Sequence, residues 1–326
     1  MCRMIAESRS NSERTTRGWD SCWRGTGDIG AWTAGGAGHP AIRAFWSDLF
    51  QAAGTDPART MVDIASGNGA VVECALNVSA SAPPDIICVD ISSAAIANIC
   101  RRFPGVQGLV CDARSIPLQA RAFDLVTSQF GVEYAGLEAV DEAVRLLAPG
   151  GRLALLIHHR AGSIYRECTA SLDAISRVQE CRFVPLADEM LRAGFAAVRG
   201  ADRAPYEAAA SRLAPAVAEL ERIIEHHGEH VAGDTVARLY TDVGRIHEQL
   251  PNFDPGEVLD WLARMETELD DYAARMSAMT GSAVDQPAFA RLAAGLRERL
   301  TLERSGPLLA PGHELPLAWV LQARSQ

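Results

Sequence analysis

The chain has 326 residues, of which 48% are hydrophobic and 22% charged, and its formal net charge is -10 at pH 7. This length allows one elaborated domain or two. Lys and Arg do not concentrate in any segment, which argues against a nucleic-acid-binding protein, and no apolar run reaches the roughly 18 residues of a membrane span.

The first 18 residues are polar and lack the apolar core of a signal peptide, so we expect residues 1–18 to be a disordered tail of a cytoplasmic protein. Eight cysteines are scattered along the chain without a Cys-x-x-Cys pair. This usage favours reduced thiols over a zinc or redox motif.

From about residue 58, short apolar runs alternate with segments of helical spacing. Such runs are typical of strands that are buried on both faces of a sheet. Strands joined by helical crossovers pair in parallel, so the sequence predicts an α/β fold with a Rossmann-like doubly wound sheet. The predicted strands are RTMVDIA, DIICVDI, VQGLVCDA, FDLVTSQF and RLALLIHH.

A helical segment, residues 161–284, interrupts this alternation, and we expect it to be an insertion that serves as a lid or substrate-binding region. Strands return in TLERSGPLL and ELPLAWVLQAR, whose short link predicts an antiparallel pair at the C-terminal end of the sheet. The α/β domain should therefore comprise residues 19–160 and 285–326. Within the insertion one apolar stripe has helical spacing: Val258, Leu262, Met265, Leu269, Tyr272 and Met276.

The segment HHGEH offers the only pattern that suggests a metal. His226 and His230 stand four residues apart, as two ligands on one helical face would. No third ligand lies at a readable spacing, so we favour a solvated helix face and predict no metal site.

The segment MVDIASGNGAVVECAL leads from the first strand through a glycine loop into a helix. Glycines let the backbone bend sharply and let a ligand approach closely. The third glycine of a dinucleotide fingerprint is absent, which counts against a nicotinamide-dependent enzyme. The acid at the strand end suits a cation better than a pyrophosphate. The candidate binding residues here are Asp63, Ala65, Ser66, Gly67, Asn68 and Gly69.

Two further acids stand at the ends of the next strands. Asp90 is placed to accept hydrogen bonds from a ribose diol, and Asp112 to accept one from an exocyclic amine such as that of adenine. Either acid could merely cap the following helix. Acids at three successive strand ends make a shared nucleoside site the better interpretation.

This constellation resembles the class I S-adenosylmethionine-dependent methyltransferases over residues 40–160 and 285–326. FDLVTSQFGVEY is similar to that family's fourth-strand motif, and LLAPGGRLAL to its passage from helix to fifth strand. The resemblance implies S-adenosylmethionine as cofactor, with its methionine part at the glycine loop, its ribose at Asp90 and its adenine at Asp112. Ala65 departs from the family's usual glycine. The predicted cofactor set is completed by Ile91, Ala113, Gln129, Phe130 and Trp32.

The fourth and fifth strands should end beside the methyl group. We predict that Glu133 and Tyr134 orient or deprotonate a substrate, with helix capping and packing as the alternative. His158 and His159 point to opposite faces, so at most one faces the cleft. Imidazole exchanges protons near neutral pH, and His158 is the preferred base because the strand is still regular there.

These features predict a methyltransferase that transfers a methyl group by direct displacement to an oxygen or nitrogen of a small molecule. We expect neither nucleic acid nor membrane as a partner, and the sequence leaves a homodimer open. The alternatives are a non-catalytic S-adenosylmethionine-binding protein and a nicotinamide-dependent oxidoreductase.

Overall fold

The structure is a computed structural model that describes residues 19–20, 23, 39–52, 59–78 and 83–326. The predicted tail and Trp32 lie outside the described residues. One compact unit comprises the described residues up to 166 together with 278–326, and a second comprises residues 167–277.

The first unit is built on a seven-stranded sheet of order β3-β2-β1-β4-β5-β7-β6. Strands β1 to β5 pair in parallel, whereas β7 runs antiparallel to both β5 and β6. The predicted fold class is confirmed, and β5 begins at Leu147 rather than at Arg152. The strands are β1 Thr60–Ile64, β2 Asp85–Asp90, β3 Gln107–Val110, β4 Phe123–Gln129, β5 Leu147–His158, β6 Leu300–Leu309 and β7 Pro316–Ser325.

Helices flank this sheet, and their ends follow local chemistry. Ser92 caps the helix that follows β2, because its hydroxyl accepts a hydrogen bond from the N–H of Ala95. Apolar side chains of the central strands, including Val62, Val126 and Leu155, are buried in one core. The helices are α1 Pro40–Ala52, α2 Ala70–Val78, α3 Ser93–Arg102 and α4 Ala139–Leu146, with a 3₁₀ helix at Val132–Ala135.

The second unit is helical and has a core of its own. The stripe predicted in its last helix is buried there through Val258, Leu262 and Met265. None of the described helices combines the length and the apolar character that a membrane crossing needs. The helices that lie between β5 and β6 in the chain are α5 Ser163–Glu180, α6 Phe183–Val198, α7 Ala204–His227, α8 Thr235–Glu248, α9 Pro255–Ser282 and α10 Gln286–Arg297, and α10 belongs to the first unit.

The histidine pair proposed as neighbours on one helical face is not arranged that way. Helix α7 ends at His227, and Gly228 follows with φ +87°, so His226 and His230 do not share a helix. The imidazole of His230 pairs instead with Asp234, at 2.8 Å. The prediction of a common helical face was wrong because the glycine that ends the helix stands inside the motif.

Strand β6 forms one edge of the sheet and is irregular along its length. Its pairing with β7 shifts register between Leu302 and Arg304 and again between Leu308 and Leu309. Pro307 lies in the same strand and has no N–H to donate.

Candidate functional site

The glycine loop leaves β1 through three residues with left-handed backbone. Ala65 and Gly67 both have φ +52°, and Gly69 has φ +80°. Alanine therefore adopts a conformation that disfavours a Cβ, at the position where the resemblance expects glycine. Gly131, which follows β4, packs tightly on it, because a Cβ built on Gly131 would lie 2.3 Å from the Cβ of Ala65.

Asp63 lies beneath this loop and is 1% exposed. Its Oδ1 accepts a hydrogen bond from Thr127 Oγ1 at 2.7 Å, and its Oδ2 has no partner among the described residues. Burial raises the pKa of Asp63 to about 7; the hydrogen bond from Thr127 opposes this rise and the charge of Asp90 adds to it. A cation beside Oδ2 would stabilise the ionised carboxylate.

Asp90 ties the loop to the start of α3. Its Oδ2 accepts from the N–H of Gly67 at 2.9 Å, and its Oδ1 accepts from the N–H of Ser92 at 2.8 Å. Burial raises the pKa of this carboxyl, and these hydrogen bonds oppose the rise. Each oxygen keeps a lone pair, so Asp90 can still accept a hydroxyl donor. Ile91 beside it is 41% exposed.

Two polar side chains of the loop hold its shape. Ser66 Oγ donates to the carbonyl of Val89 at 3.2 Å, and Asn68 Oδ1 accepts from Asn98 Nδ2 at 3.3 Å. In this arrangement the loop presents mainly backbone to a ligand.

Asp112 lies two residues beyond the end of β3 and is engaged by Arg114. The guanidinium donates to both carboxylate oxygens, from Nε at 3.1 Å and from a terminal nitrogen at 2.5 Å. These hydrogen bonds lower the pKa of Asp112. Ala113 packs, partly buried, on the core. The adenine contact assigned to Asp112 stays a prediction, and it must share the carboxylate with Arg114.

Gln129 and Phe130 are adjacent at the end of β4, but their side chains contact different parts of the first unit. Gln129 turns its Oε1 toward α1, where it accepts a hydrogen bond from the indole of the buried Trp46 at 2.5 Å. Phe130 has φ +53°, and its ring stacks on His158 with centroids 4.5 Å apart. Gln129 thus anchors a helix, whereas Phe130 joins the side chains at the end of β5.

Glu133 and His158 form a buried pair. Glu133 Oε1 accepts from the backbone N–H of His158 at 2.8 Å and lies 2.7 Å from its Nδ1. The two side chains are 0% and 1% exposed. The contact turns Nδ1 toward Glu133 and Nε2 to the other side of the ring. Tyr134 stands edge-on to the imidazole, with centroids 5.8 Å apart.

His159 lies apart from this pair. Its ring stacks on Trp319 at 4.0 Å, and its Nδ1 accepts from the N–H of Ala161. Burial lowers its pKa. Of the two adjacent histidines, His158 alone is placed with Phe130 and Glu133.

Three residues ahead of α1 also belong to the site, and the sequence reasoning missed them. Trp23 contacts Gly67, Asp20 accepts a hydrogen bond from the hydroxyl of Ser92, and Trp19 stands edge-on to Tyr134. The tryptophans are spaced i, i+4, which is the signal that could have identified one aromatic helical face.

Known proteins resemble part of the chain. An uncharacterized methyltransferase of Schizosaccharomyces pombe is 31% identical over 150 residues, which cover 45% of this chain and 55% of that protein. A demethylmenaquinone methyltransferase of Renibacterium salmoninarum is 30% identical over 107 residues, 32% of this chain and 44% of that protein. The solved structure of an S-adenosylmethionine-bound amino pentose methyltransferase from Micromonospora echinaspora is 30% identical and covers 36% of this chain and 51% of its own, with a TM-score of 0.30.

The family described as a methyltransferase domain matches residues 62–155, which carry the loop and both buried acids. Residues 62–155 are therefore a methyltransferase domain of the S-adenosylmethionine-dependent type. The predicted family and its cofactor, S-adenosylmethionine, are confirmed, and the nicotinamide-dependent alternative is set aside. The chain spans about half the length of the curated relatives it matches.

Proposed function

We propose that this protein transfers a methyl group from S-adenosylmethionine to an oxygen or nitrogen of a small-molecule acceptor. The observation that carries the proposal is that Oδ2 of the buried Asp63, at a glycine loop held by Asp90, has no hydrogen-bond partner among the described residues. A carboxylate oxygen that is buried without a hydrogen-bond donor destabilises the fold unless a ligand supplies a donor or a positive charge.

The residues present fit the cofactor. S-adenosylmethionine carries an ammonium group and a sulfonium, either of which Asp63 can stabilise by charge. Asp90 offers acceptors to the ribose hydroxyls, and the exposed side chain of Ile91 offers an apolar surface to adenine. When bound, the cofactor supplies a methyl group on a good leaving group for direct displacement.

The chain's own contribution to the reaction is to orient the acceptor and to take its proton. Glu133 holds the imidazole of His158 by Nδ1, and Phe130 stacks on the ring, so its orientation is fixed. A fixed base contributes when the acceptor atom arrives protonated, as a hydroxyl or an ammonium does. Alignment of nucleophile and methyl group supplies the larger share of rate enhancement in such a displacement.

Two observations support a small molecule as acceptor. The formal net charge of -10 disfavours a phosphate-rich polymer. One relative is named for demethylmenaquinone, which is itself a small molecule. The role of the helical insertion as a lid stays a prediction. A homodimer stays possible.

The cofactor site is tested by calorimetric titration with S-adenosylhomocysteine. We expect Asp90→Asn to raise the dissociation constant at least about ten-fold, because the amide removes the charge and one acceptor oxygen that ribose needs. Asp260→Asn, an exposed acid of α9, is the matched control and should leave the constant unchanged. Equal affinity in the three proteins would refute the assignment of Asp90.

Transfer itself is tested by following release of S-adenosylhomocysteine with a panel of phenols, alcohols and amines. We expect turnover with at least one acceptor, and Glu133→Gln should lower kcat more than it changes KM because the amide no longer stabilises a protonated imidazole. Cofactor binding without turnover of any acceptor would favour the non-catalytic alternative.

We also propose that the protein works in the cytoplasm. The cysteines within the described residues are free thiols, as a reducing compartment would keep them. Fractionation of cells that make the protein would test this location.

A further inference from the structure

Trp19, Asp20 and Trp23 are the described residues that precede position 39, and Trp23 lies directly on the glycine loop. A Cβ built on Gly67 would lie 2.9 Å from Cζ2 and 3.1 Å from Cη2 of Trp23, so the edge of the indole touches the bare face of this glycine. The same glycine donates its N–H to Asp90. A ligand that approaches the loop through the space left by the missing side chain meets the indole ring first.

Hydrogen bonds tie Asp20 and Trp23 to α3 and to Ser92, its cap residue. Asn98 Nδ2 donates to the carbonyl of Trp23 at 2.5 Å. Asp20 Oδ1 accepts from the hydroxyl of Ser92 and from the N–H of Ala94, the latter at 3.3 Å. Asp20 thereby brings a second negative charge close to Asp90.

Trp19 connects Trp23 to Tyr134, which follows β4, and through Tyr134 to His158 at the end of β5. The ring of Trp19 stacks on Trp23, with centroids 5.9 Å apart and planes at 18°. Trp19 also packs edge-on against Tyr134, with ring centroids 5.4 Å apart. Tyr134 in turn packs on His158. One aromatic pair therefore spans the glycine loop and the side chains proposed to bind the acceptor.

We propose that Trp19, Asp20 and Trp23 form an aromatic plug that occupies the methionine side of the cofactor site and must leave before S-adenosylmethionine can bind. The inference rests on the proposed function. A cover that closes over a bound cofactor would leave a gap between itself and the loop. Here the indole is in van der Waals contact with Gly67, so ring and ligand compete for one place.

Competition between the indole and the ligand predicts the direction in which loss of the indole changes the dissociation constant. The apparent dissociation constant of a ligand equals its intrinsic value divided by the open fraction of the protein. Trp23→Ala should therefore bind S-adenosylhomocysteine about ten-fold more tightly than the unmutated protein. Asp20→Ala removes the oxygen that accepts from Ser92 and Ala94, so it should also tighten binding, by less, and Asp260→Asn should not change it. A cover that stacks on the cofactor predicts the opposite sign for Trp23→Ala.

The unmutated protein supplies a second readout that needs no variant to fold. If the plug must open first, the rate constant of binding measured by stopped flow rises with S-adenosylhomocysteine concentration to a plateau set by opening. Trp23→Ala should raise or abolish that plateau. Weaker binding by Trp23→Ala, or a linear rise without a plateau in the unmutated protein, overturns the plug and leaves the proposed function standing. Absence of binding by both proteins overturns the proposed function, and the plug with it.

Discussion

Asp63 shows how a single buried carboxyl can link stability to pH. Its pKa is raised to about 7 in the folded protein, chiefly by burial, against an ordinary value of 3.8. Between these values the folded state holds a proton that the unfolded state has released. The free energy of unfolding therefore falls as pH rises from about 4 to about 7, by on the order of 4 kcal/mol from this group.

We expect Asp63→Asn to remove this dependence. The variant should lose less stability than the unmutated protein between pH 5 and pH 8, since asparagine has no proton to release. Denaturant unfolding at the two pH values measures the difference, and Asp260→Asn controls for loss of one charge. Identical pH profiles for Asp63→Asn and the unmutated protein would contradict the raised pKa.

The contact between Ala65 and Gly131 predicts how substitutions at these two positions change the free energy of unfolding. Gly131→Ala should destabilise the protein by about 1–3 kcal/mol, because its new methyl group would overlap the Cβ of Ala65. Ala65→Gly removes that atom, so the double variant should regain part of the loss. Ala65→Gly alone should change stability little, because relief of left-handed strain offsets a more flexible unfolded chain.

A double-mutant cycle on the free energy of unfolding checks this coupling. An interaction energy of about 1 kcal/mol or more would support direct contact between the loops. Strictly additive effects would show that the two backbones do not meet as described.

The N-terminal cap of α10 contributes to the stability of the C-terminal part of the sheet domain, and this contribution can be measured. Asp285 precedes the helix, and its Oδ1 accepts from the N–H of Ala288 at 2.8 Å. Asp285→Ala should lower stability by about 1 kcal/mol, or the melting temperature by roughly 2–4 °C. Asp285→Ser retains a capping oxygen and should lose less; equal losses in both variants would argue against the cap.

Strands and loops were predictable from sequence, whereas side-chain partners were not. Parallel strands buried on both faces require apolar runs, so β1 to β5 and the acids at their ends can be read from local pattern. Gln129 could not be assigned in this way, because its partner Trp46 is 83 residues away and comes into contact only when α1 packs. The pairing of Glu133 with His158 depends likewise on how β4 and β5 align.

Each of the two units has its own apolar core, and the named cofactor residues all lie in the first. Leu220 is 0% exposed in the core of the helical unit. Leu220→Ala should destabilise that unit by about 2–5 kcal/mol, because it removes buried methyl groups and leaves a cavity. Its affinity for S-adenosylhomocysteine at low temperature should match that of the unmutated protein.

The control for this prediction is Glu225→Ala, an exposed position on the same helix, which should change stability by less than about 0.5 kcal/mol. Denaturant unfolding followed by circular dichroism gives both values. A large loss of cofactor affinity in Leu220→Ala would show that binding depends on the fold of the helical unit as well.

The irregular border formed by β6 bears on how copies of the molecule behave at high concentration. An open, regular border strand is a template on which another chain can add hydrogen bonds. Here two register shifts, a proline and the charged side chains of Glu303 and Arg304 interrupt that template. Edge-to-edge growth into cross-β fibrils is accordingly disfavoured, and concentrated samples should stay free of thioflavin-binding deposits.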